Sequence, residues 1–187
     1  MTGLDALWLP ILLSAVFVFF VSSIIHMTPL WHARDYEPVP NQESARAALR
    51  ALDLPPGDYM VPRTFDQKEM KSPEFQAKMT EGPQMILTVL PNLPWRMGRT
   101  LGLWFVYCLV VSLFAAYVAG RALPPGTHYL AVFRFAGTAA FLGYTAALWQ
   151  MWIWYGRSAG LTAKATLDGL IYGLVTAGVF GWLWPAA

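Results

Sequence analysis

The three histidines are the residues best able to do chemistry in this sequence, because imidazole binds metals and transfers protons near neutral pH. His26 follows the first long apolar stretch, His32 comes six residues later, and His128 precedes a different apolar stretch. Residues six apart do not share a helix face, as residues three or four apart would. His26 and His128 would lie on opposite sides of a bilayer, roughly 30 Å apart. We therefore expect each histidine to form interfacial hydrogen bonds, and we predict no metal and no cofactor.

A second set of polar residues lies before the last apolar stretch. Together with the first histidine it forms a candidate interface cluster of His26, Arg157, Lys164 and Asp168. Asp168 could pair with Lys164, four residues earlier, with Arg157 or with His26. Alternatively, it favours the start of the last helix through the helix dipole, an effect of about 0.3–1 kcal/mol. We favour the dipole, because water reaches a carboxylate at the end of a span.

No catalytic residue is predicted from these groups. The sequence has neither a Gly-x-Ser-x-Gly elbow nor a His-Glu-x-x-His motif. A P-loop and a dinucleotide-binding fingerprint are also missing from it. The pattern leaves enzymatic activity uncertain and favours a non-enzymatic role.

Four uncharged apolar stretches must position the polar residues. Of the whole chain, 56% is hydrophobic and 13% charged, whereas soluble domains carry about 25% charged residues. A helix needs about 20 apolar residues to cross a bilayer. The stretches without charged residues or histidine are 6–25, 101–120, 135–156 and 169–187. We predict an all-α integral membrane protein with four transmembrane helices, at 4–27, 99–121, 128–156 and 166–185.

The last stretch contains small residues at every fourth position. They are Gly169, Gly173, Ala177 and Gly181. This spacing places them on one helix face, where the missing side chains allow two backbones to approach closely. We predict that this face packs against a neighbouring helix and that the four helices form a tight bundle rather than a wide channel.

The segment between the first two helices, residues 28–98, is predicted to be a small α+β extramembrane cap. Asn41 can cap one helix, and Ser72 followed by Pro73 can start another. Residues 59–61 and 85–90 have the composition of short strands that could pair. The alternative is an extended loop with two helices and no sheet. Acidic and basic residues are nearly balanced in this segment, which argues against a nucleic-acid surface.

Basic residues near the ends of the helices predict the orientation, because cytoplasmic flanks are enriched in Lys and Arg. The face with the 28–98 segment has Arg34, Arg96, Arg99, Arg157 and Lys164, and the opposite face has Arg121 and Arg134. We therefore predict a cytoplasmic cap and both termini outside.

Three stretches resemble a family of bacterial four-helix inner-membrane proteins. They are LPPGDY at 54–59, LGLWF with YCLV within 101–110, and DGLIY with GWLWP within 168–185. The resemblance covers nearly the whole chain and implies a multi-pass protein of the bacterial inner membrane. It implies no catalytic or binding residue, because that family has no assigned activity.

Two functions remain open at this point. The first is a non-enzymatic accessory, assembly or structural subunit of a membrane complex, whose partners are the lipid bilayer and a membrane protein or a second copy of the chain. The alternative is a protein that binds or processes a small molecule or lipid headgroup at the cytoplasmic interface. Arg157 and Lys164 would then hold an anionic headgroup, and His26 would act as a base. A cleft lined by both His26 and Asp168 would favour the alternative.

Overall fold

The computed structural model describes residues 1–28, 31–94 and 96–187. Within these ranges the chain is mostly helical, with four helical segments long and apolar enough to cross a membrane. The elements in chain order are α1 (Trp8–Met27), α2 (Gln42–Ala51), β1 (Gly57–Val61), α3 (Gln67–Met70), α4 (Pro73–Glu81), β2 (Met85–Val89), α5 (Met97–Ala122), α6 (Tyr129–Thr145), α7 (Leu148–Tyr155) and α8 (Ala159–Trp182). They form two compact units, a helical unit of Met1–Tyr36 with Arg96–Ala187, and a cap unit of Glu37–Trp95.

The cap unit contains the helices and the strand pair that the sequence predicts. The Asn41 side chain accepts a hydrogen bond from the backbone N–H of Ser44, and Ser72 accepts one from Phe75. Such side chains satisfy backbone donors that have no partner within the helix. Strands β1 and β2 pair antiparallel, with Tyr59 opposite Leu87. The prediction of a small two-stranded sheet is therefore confirmed, and the sheet-free alternative is wrong.

In the helical unit, α8 packs against α6 and α1, while α5 packs against α1 and α6. The buried positions are mostly small side chains, such as Ala15 on α1 and Ala115 on α5. Ser14 and Ser112 join α1 to α5 through a buried hydrogen bond of 2.9 Å between their hydroxyls. Small side chains allow these backbones to come close together.

The glycines of α8 contact α6. A Cβ atom added to Gly173 would lie 3.2 Å from the Cβ of Phe141, and one added to Gly181 would lie 2.6 Å from Cε2 of Tyr129. An added Cβ at Gly169 would collide with Thr145. At the remaining position of the small-residue face, Ala177 lies against Gly137 of α6. The small-residue face of α8 therefore lies against a neighbouring helix.

Two helix boundaries differ from those predicted by the sequence. The third apolar stretch is helical in two pieces, because turn residues 146–147 separate α6 from α7. The fourth helix begins at Ala159, earlier than the predicted start at 166, because Gly156 has a left-handed conformation and Ser158 accepts a hydrogen bond from the N–H of Leu161. Charged residues in the first turns of α8 hid this start from a reading based on hydropathy. Lys164 consequently lies inside α8 and not ahead of it, and Asp168 lies nine residues after the start of the helix instead of in its first turn.

Candidate functional site: a histidine–aspartate cluster

Polar side chains from the end of α1, the segment that follows it and the first half of α8 meet in the helical unit. We call this group the His–Asp cluster. It consists of His26, Trp31, His32, Asp35, Lys164 and Asp168. Residues 31–36 form turns and bends that return toward α8, which brings residues more than 120 positions apart in the sequence into contact.

Asp168 is the buried acid of the cluster. Only 4% of its surface is exposed. Oδ1 accepts a hydrogen bond of 2.9 Å from the indole N–H of Trp31, and Oδ2 lies 3.1 Å from Nε2 of His32. Because a buried carboxylate is costly without partners, these contacts account for its position inside the fold.

Lys164, one helical turn before Asp168, holds the 31–36 segment against α8. Its ammonium donates one hydrogen bond of 2.7 Å to the carbonyl oxygen of Trp31 and another of 2.9 Å to Oδ1 of Asp35. The ammonium also lies 5.5 Å from the centre of the Trp31 ring, within range of a cation–π interaction. Lys164 is thus already neutralised and hydrogen-bonded within the protein.

Asp35 bridges Lys164 and His32. Its Oδ2 is 2.6 Å from Nδ1 of His32. The hydrogen bond from His32, followed by the one from Lys164, holds the pKa of Asp35 below its usual value, because both favour the ionised carboxylate. Asp35 therefore stays negatively charged at neutral pH.

The hydrogen bonds of the two histidines fix which ring nitrogen carries the proton. Nδ1 of His26 lies 3.0 Å from the carbonyl oxygen of Ser22, and Nδ1 of His32 lies against the Asp35 carboxylate. Neither acceptor has a hydrogen to give, so Nδ1–H is the donor in both contacts. In each neutral ring Nε2 then carries the free lone pair. The rings stack with their centres 4.3 Å apart.

Nε2 of His32 is unusual. It is buried and has no hydrogen-bond partner among the described residues, although Oδ2 of Asp168 is only 3.1 Å away. A nitrogen lone pair and a carboxylate oxygen repel each other at this distance unless a positive charge lies near both. One ring nitrogen of His26, one of His32 and one oxygen of Asp168 all lie within 4.8 Å of one another.

The charge of the cluster also favours a cation. Asp35 and Asp168 contribute two negative charges and Lys164 contributes one positive charge. With both histidines neutral, the cluster carries a net charge of −1. Such a site attracts cations and repels phosphate or carboxylate ligands.

The structure brings together three of the four residues of the predicted candidate interface cluster. His26, Lys164 and Asp168 come together, but Arg157 does not join them. Arg157 lies in the connection between α7 and α8, and over the part of the chain that is described its side chain forms no ion pair with Asp168. Trp31, His32 and Asp35 belong to the group in the structure but not to the predicted cluster. The spacing of Asp35 three residues after His32 was the available signal.

Two expectations about this region are wrong. Asp168 does not lie at the start of a helix where water reaches it, since α8 begins nine residues earlier and the carboxylate is buried. The expectation that the six-residue spacing keeps His26 and His32 apart is wrong as well. The helix ends at Met27, and the turns at 31–36 hold the His32 ring against the His26 ring.

An aromatic group adjoins the cluster on its α5 and α6 side. The indole N–H of Trp104 donates a 2.7 Å hydrogen bond to the hydroxyl of Ser22, whose carbonyl holds His26. The Trp104 ring also contacts Tyr144 and Tyr172. The hydroxyls of both tyrosines are buried without a partner in the described ranges.

No family model matches the sequence, and no curated protein or solved structure is significantly similar to it.

Proposed function

We propose that this chain is a multi-pass protein of the bacterial inner membrane that binds a small cation at the His–Asp cluster. The observation that carries the proposal is the buried carboxylate of Asp168 beside the unpartnered Nε2 of His32. The neighbouring acid Asp35 is already neutralised by Lys164, whereas Asp168 has no basic side chain other than His32 within ion-pair distance among the described residues. A bound cation would supply the missing charge.

The ligand set does not favour an anionic lipid headgroup. Lys164 is engaged by Asp35 and by the carbonyl of Trp31, and Arg157 lies outside the cluster. An incoming phosphate would have to displace Asp35 and approach the negative charge of Asp168. We therefore assign the cluster to cation binding rather than to headgroup processing.

A thermal-unfolding experiment with purified protein in mild detergent tests the proposal. The protein is first stripped with a chelator and dialysed, and is then heated with Mg²⁺, Ca²⁺, Zn²⁺, Co²⁺ or tetramethylammonium. At least one cation should raise the melting temperature, because a ligand that binds only the folded state stabilises it. The increase should disappear in Asp168→Asn and persist in Asp5→Asn, a carboxylate outside the cluster. Absence of any Asp168-dependent increase would overturn cation binding.

For the membrane arrangement, we propose four spanning helices in a tight bundle, both termini outside and the cap unit in the cytoplasm. Support comes from the length and hydropathy of the four helical segments and from the basic flanks. Alkaline phosphatase, which is active only outside the cytoplasm, should be active when fused after Ala187 and inactive when fused at Glu69. The reverse pattern would invert the orientation.

An accessory or assembly role is the second candidate, and the surface of the cap unit favours it. Phe65 is 93% exposed, and Phe75 is the single hydrophobic residue of the cap unit that is buried in the described structure. Met60 and Ile86, which lie opposite each other on the paired strands, are exposed as well, and contiguous exposed apolar residues are typical of surfaces that contact another molecule. A stoichiometric membrane-protein partner should co-purify with the wild type and be lost in Phe65→Ser. A wild-type protein that purifies alone as one homogeneous species would contradict this role.

A further inference from the structure

We propose that the cation is a divalent transition metal of the Zn²⁺ type, bound by one ring nitrogen of each of His26 and His32 and by Oδ2 of Asp168. This inference rests on the proposed function, because it names the kind of cation that the same cluster binds. One ring nitrogen of each histidine and one carboxylate oxygen of Asp168 lie within 4.8 Å of one another. In a zinc site, ligand atoms about 2.0–2.2 Å from the ion lie within this range of one another.

The donor set selects the class of metal. Imidazole nitrogen suits Zn²⁺, Cu²⁺, Ni²⁺ and Fe²⁺, whereas Mg²⁺ and Ca²⁺ require oxygen ligands. Asp168 offers the only carboxylate among the three grouped ligands, and the other two are histidines. Two imidazoles and one carboxylate are also the protein ligands of many sites that leave a coordination position open for water or a substrate.

The surrounding hydrogen bonds are those that metal-binding histidines need. A ligating histidine donates its other N–H to a carboxylate or a backbone carbonyl, which fixes the tautomer and makes the free nitrogen more basic. His32 donates Nδ1–H to Asp35, and His26 donates Nδ1–H to the carbonyl of Ser22. Both contacts exist in the structure, and each leaves Nε2 of its ring as the nitrogen with a free lone pair.

A proton on His32 is the competing explanation, since an imidazolium between Asp35 and Asp168 would also balance the charges. The geometry at Asp168 argues against it. Nε2 and Oδ2 are 3.1 Å apart but do not satisfy the direction of an N–H···O hydrogen bond. A bound metal ion would not require Nε2 and Oδ2 to point at each other, because each atom would direct a lone pair at the ion.

One adjustment is required of the protein. The two rings stack with an angle of 18° between their planes, whereas a shared ion should lie close to the plane of each ring. His26 is exposed, so its ring can turn about its side-chain bonds without disturbing the core. His32 and Asp168 are held by Asp35 and Trp31 and need not move.

Cobalt binding gives a direct test. Full-length, chelator-treated protein in detergent is titrated with Co²⁺, and visible absorption reports ligand fields of low coordination number. X-ray absorption of the Zn²⁺-loaded wild type then counts the imidazole ligands without any mutation. We expect one ion per chain, two imidazoles in its ligand shell, and binding to Zn²⁺ at least about 100-fold tighter than to Mg²⁺ or Ca²⁺, following the preference of imidazole sites.

Variants locate the ligands. His26→Gln, His32→Gln and Asp168→Asn should each abolish the saturable cobalt spectrum, and His26→Gln is the safest for folding because its ring is exposed. Asp35→Asn, which removes a support for His32, should weaken binding by about 10–100-fold. The matched control is His128→Gln, an exposed histidine that caps α6 away from the cluster.

Each outcome has a defined meaning. If the His26 and His32 variants bind Zn²⁺ as tightly as the wild type, the metal lies elsewhere and the assignment is wrong. If Ca²⁺ or tetramethylammonium binds in an Asp168-dependent manner while Zn²⁺ and Co²⁺ do not, the transition-metal inference fails and cation binding stands. If no cation binds, both proposals fail together.

Discussion

Helix α8 has two faces that are stabilised in different ways. Along one face, small residues from Gly169 to Gly181 lie against the backbone and side chains of α6. On the other, Lys164 and Asp168 bind the 31–36 segment through hydrogen bonds and ion pairs. The first face depends on the absence of side-chain atoms, whereas the second depends on specific polar atoms. Neighbouring residues such as Asp168 and Gly169 therefore tolerate different substitutions.

The two faces of α8 differ in whether they carry side-chain atoms that could bind a ligand. The four small residues of the glycine face carry no titratable group, and they lie in close contact with α6. At the polar face, the charges of Lys164 and Asp35 cancel, while Asp168 and the nitrogens of the histidines retain unused binding capacity. Packing of α8 against α6 and the proposed ligand binding therefore use separate faces of α8.

The largest effect should come from filling the glycine face. Gly173→Leu places a bulky side chain where an added Cβ alone lies 3.2 Å from Cβ and 3.3 Å from Cα of Phe141. We expect a loss of about 3 kcal/mol, at the upper end of the usual cost of overpacking, seen as a lower melting temperature in detergent.

Gly102→Leu is the matched control for this substitution. Gly102 also lies within a long apolar helix, but nothing is found within 4 Å of an added Cβ there. The melting temperature of the Gly102→Leu variant should equal or exceed that of the wild type, since leucine is a better helix former than glycine. If Gly173→Leu melts at the wild-type temperature, the close contact between Gly173 and Phe141 does not constrain the packing of α8 on α6.

The two faces differ equally in how far the sequence predicts them. The glycine ladder is visible because all its members lie on one helix and their spacing alone defines a face. The His–Asp cluster depends on the turns at residues 31–36 and joins residues 137 positions apart, such as Trp31 and Asp168. No local period encodes such a contact. The start of α8 was missed for a related reason, since the capping by Ser158 outweighs the charged residues that follow it.

A smaller effect is expected from Asp168→Asn at the polar face of metal-free protein. The amide keeps a hydrogen-bond acceptor for Trp31 but loses the charge, and a hydrogen bond to a charged group contributes about 1.5–3 kcal/mol. In metal-free protein the substitution also removes the repulsion between Oδ2 and the Nε2 lone pair of His32, so we expect a net loss of about 1.5 kcal/mol, at the lower end of that range. The free energy of unfolding, measured with chelator present, gives this value. A loss below about 1 kcal/mol would mean that the hydrogen bond from Trp31 to the Asp168 carboxylate does not stabilise the fold.

The smallest effect should come from Asp35→Asn, and it should depend on pH. Asp35 is ionised more readily in the folded protein, because His32 and Lys164 lower its pKa. A group with a lowered pKa stabilises the fold fully above its unfolded-state pKa of about 3.9, and this stabilisation disappears as the pH falls through the folded value. Near pH 7 we therefore expect the variant to lose about 1 kcal/mol, as for a partly exposed ion pair. The difference between the wild type and Asp35→Asn should shrink as the pH falls below about 4. Melting curves of both chains at several pH values, with Asp58→Asn of the cap unit as the control, measure this difference. A difference that stays constant down to the acid limit would show that the Asp35 charge does not hold the 31–36 segment on α8.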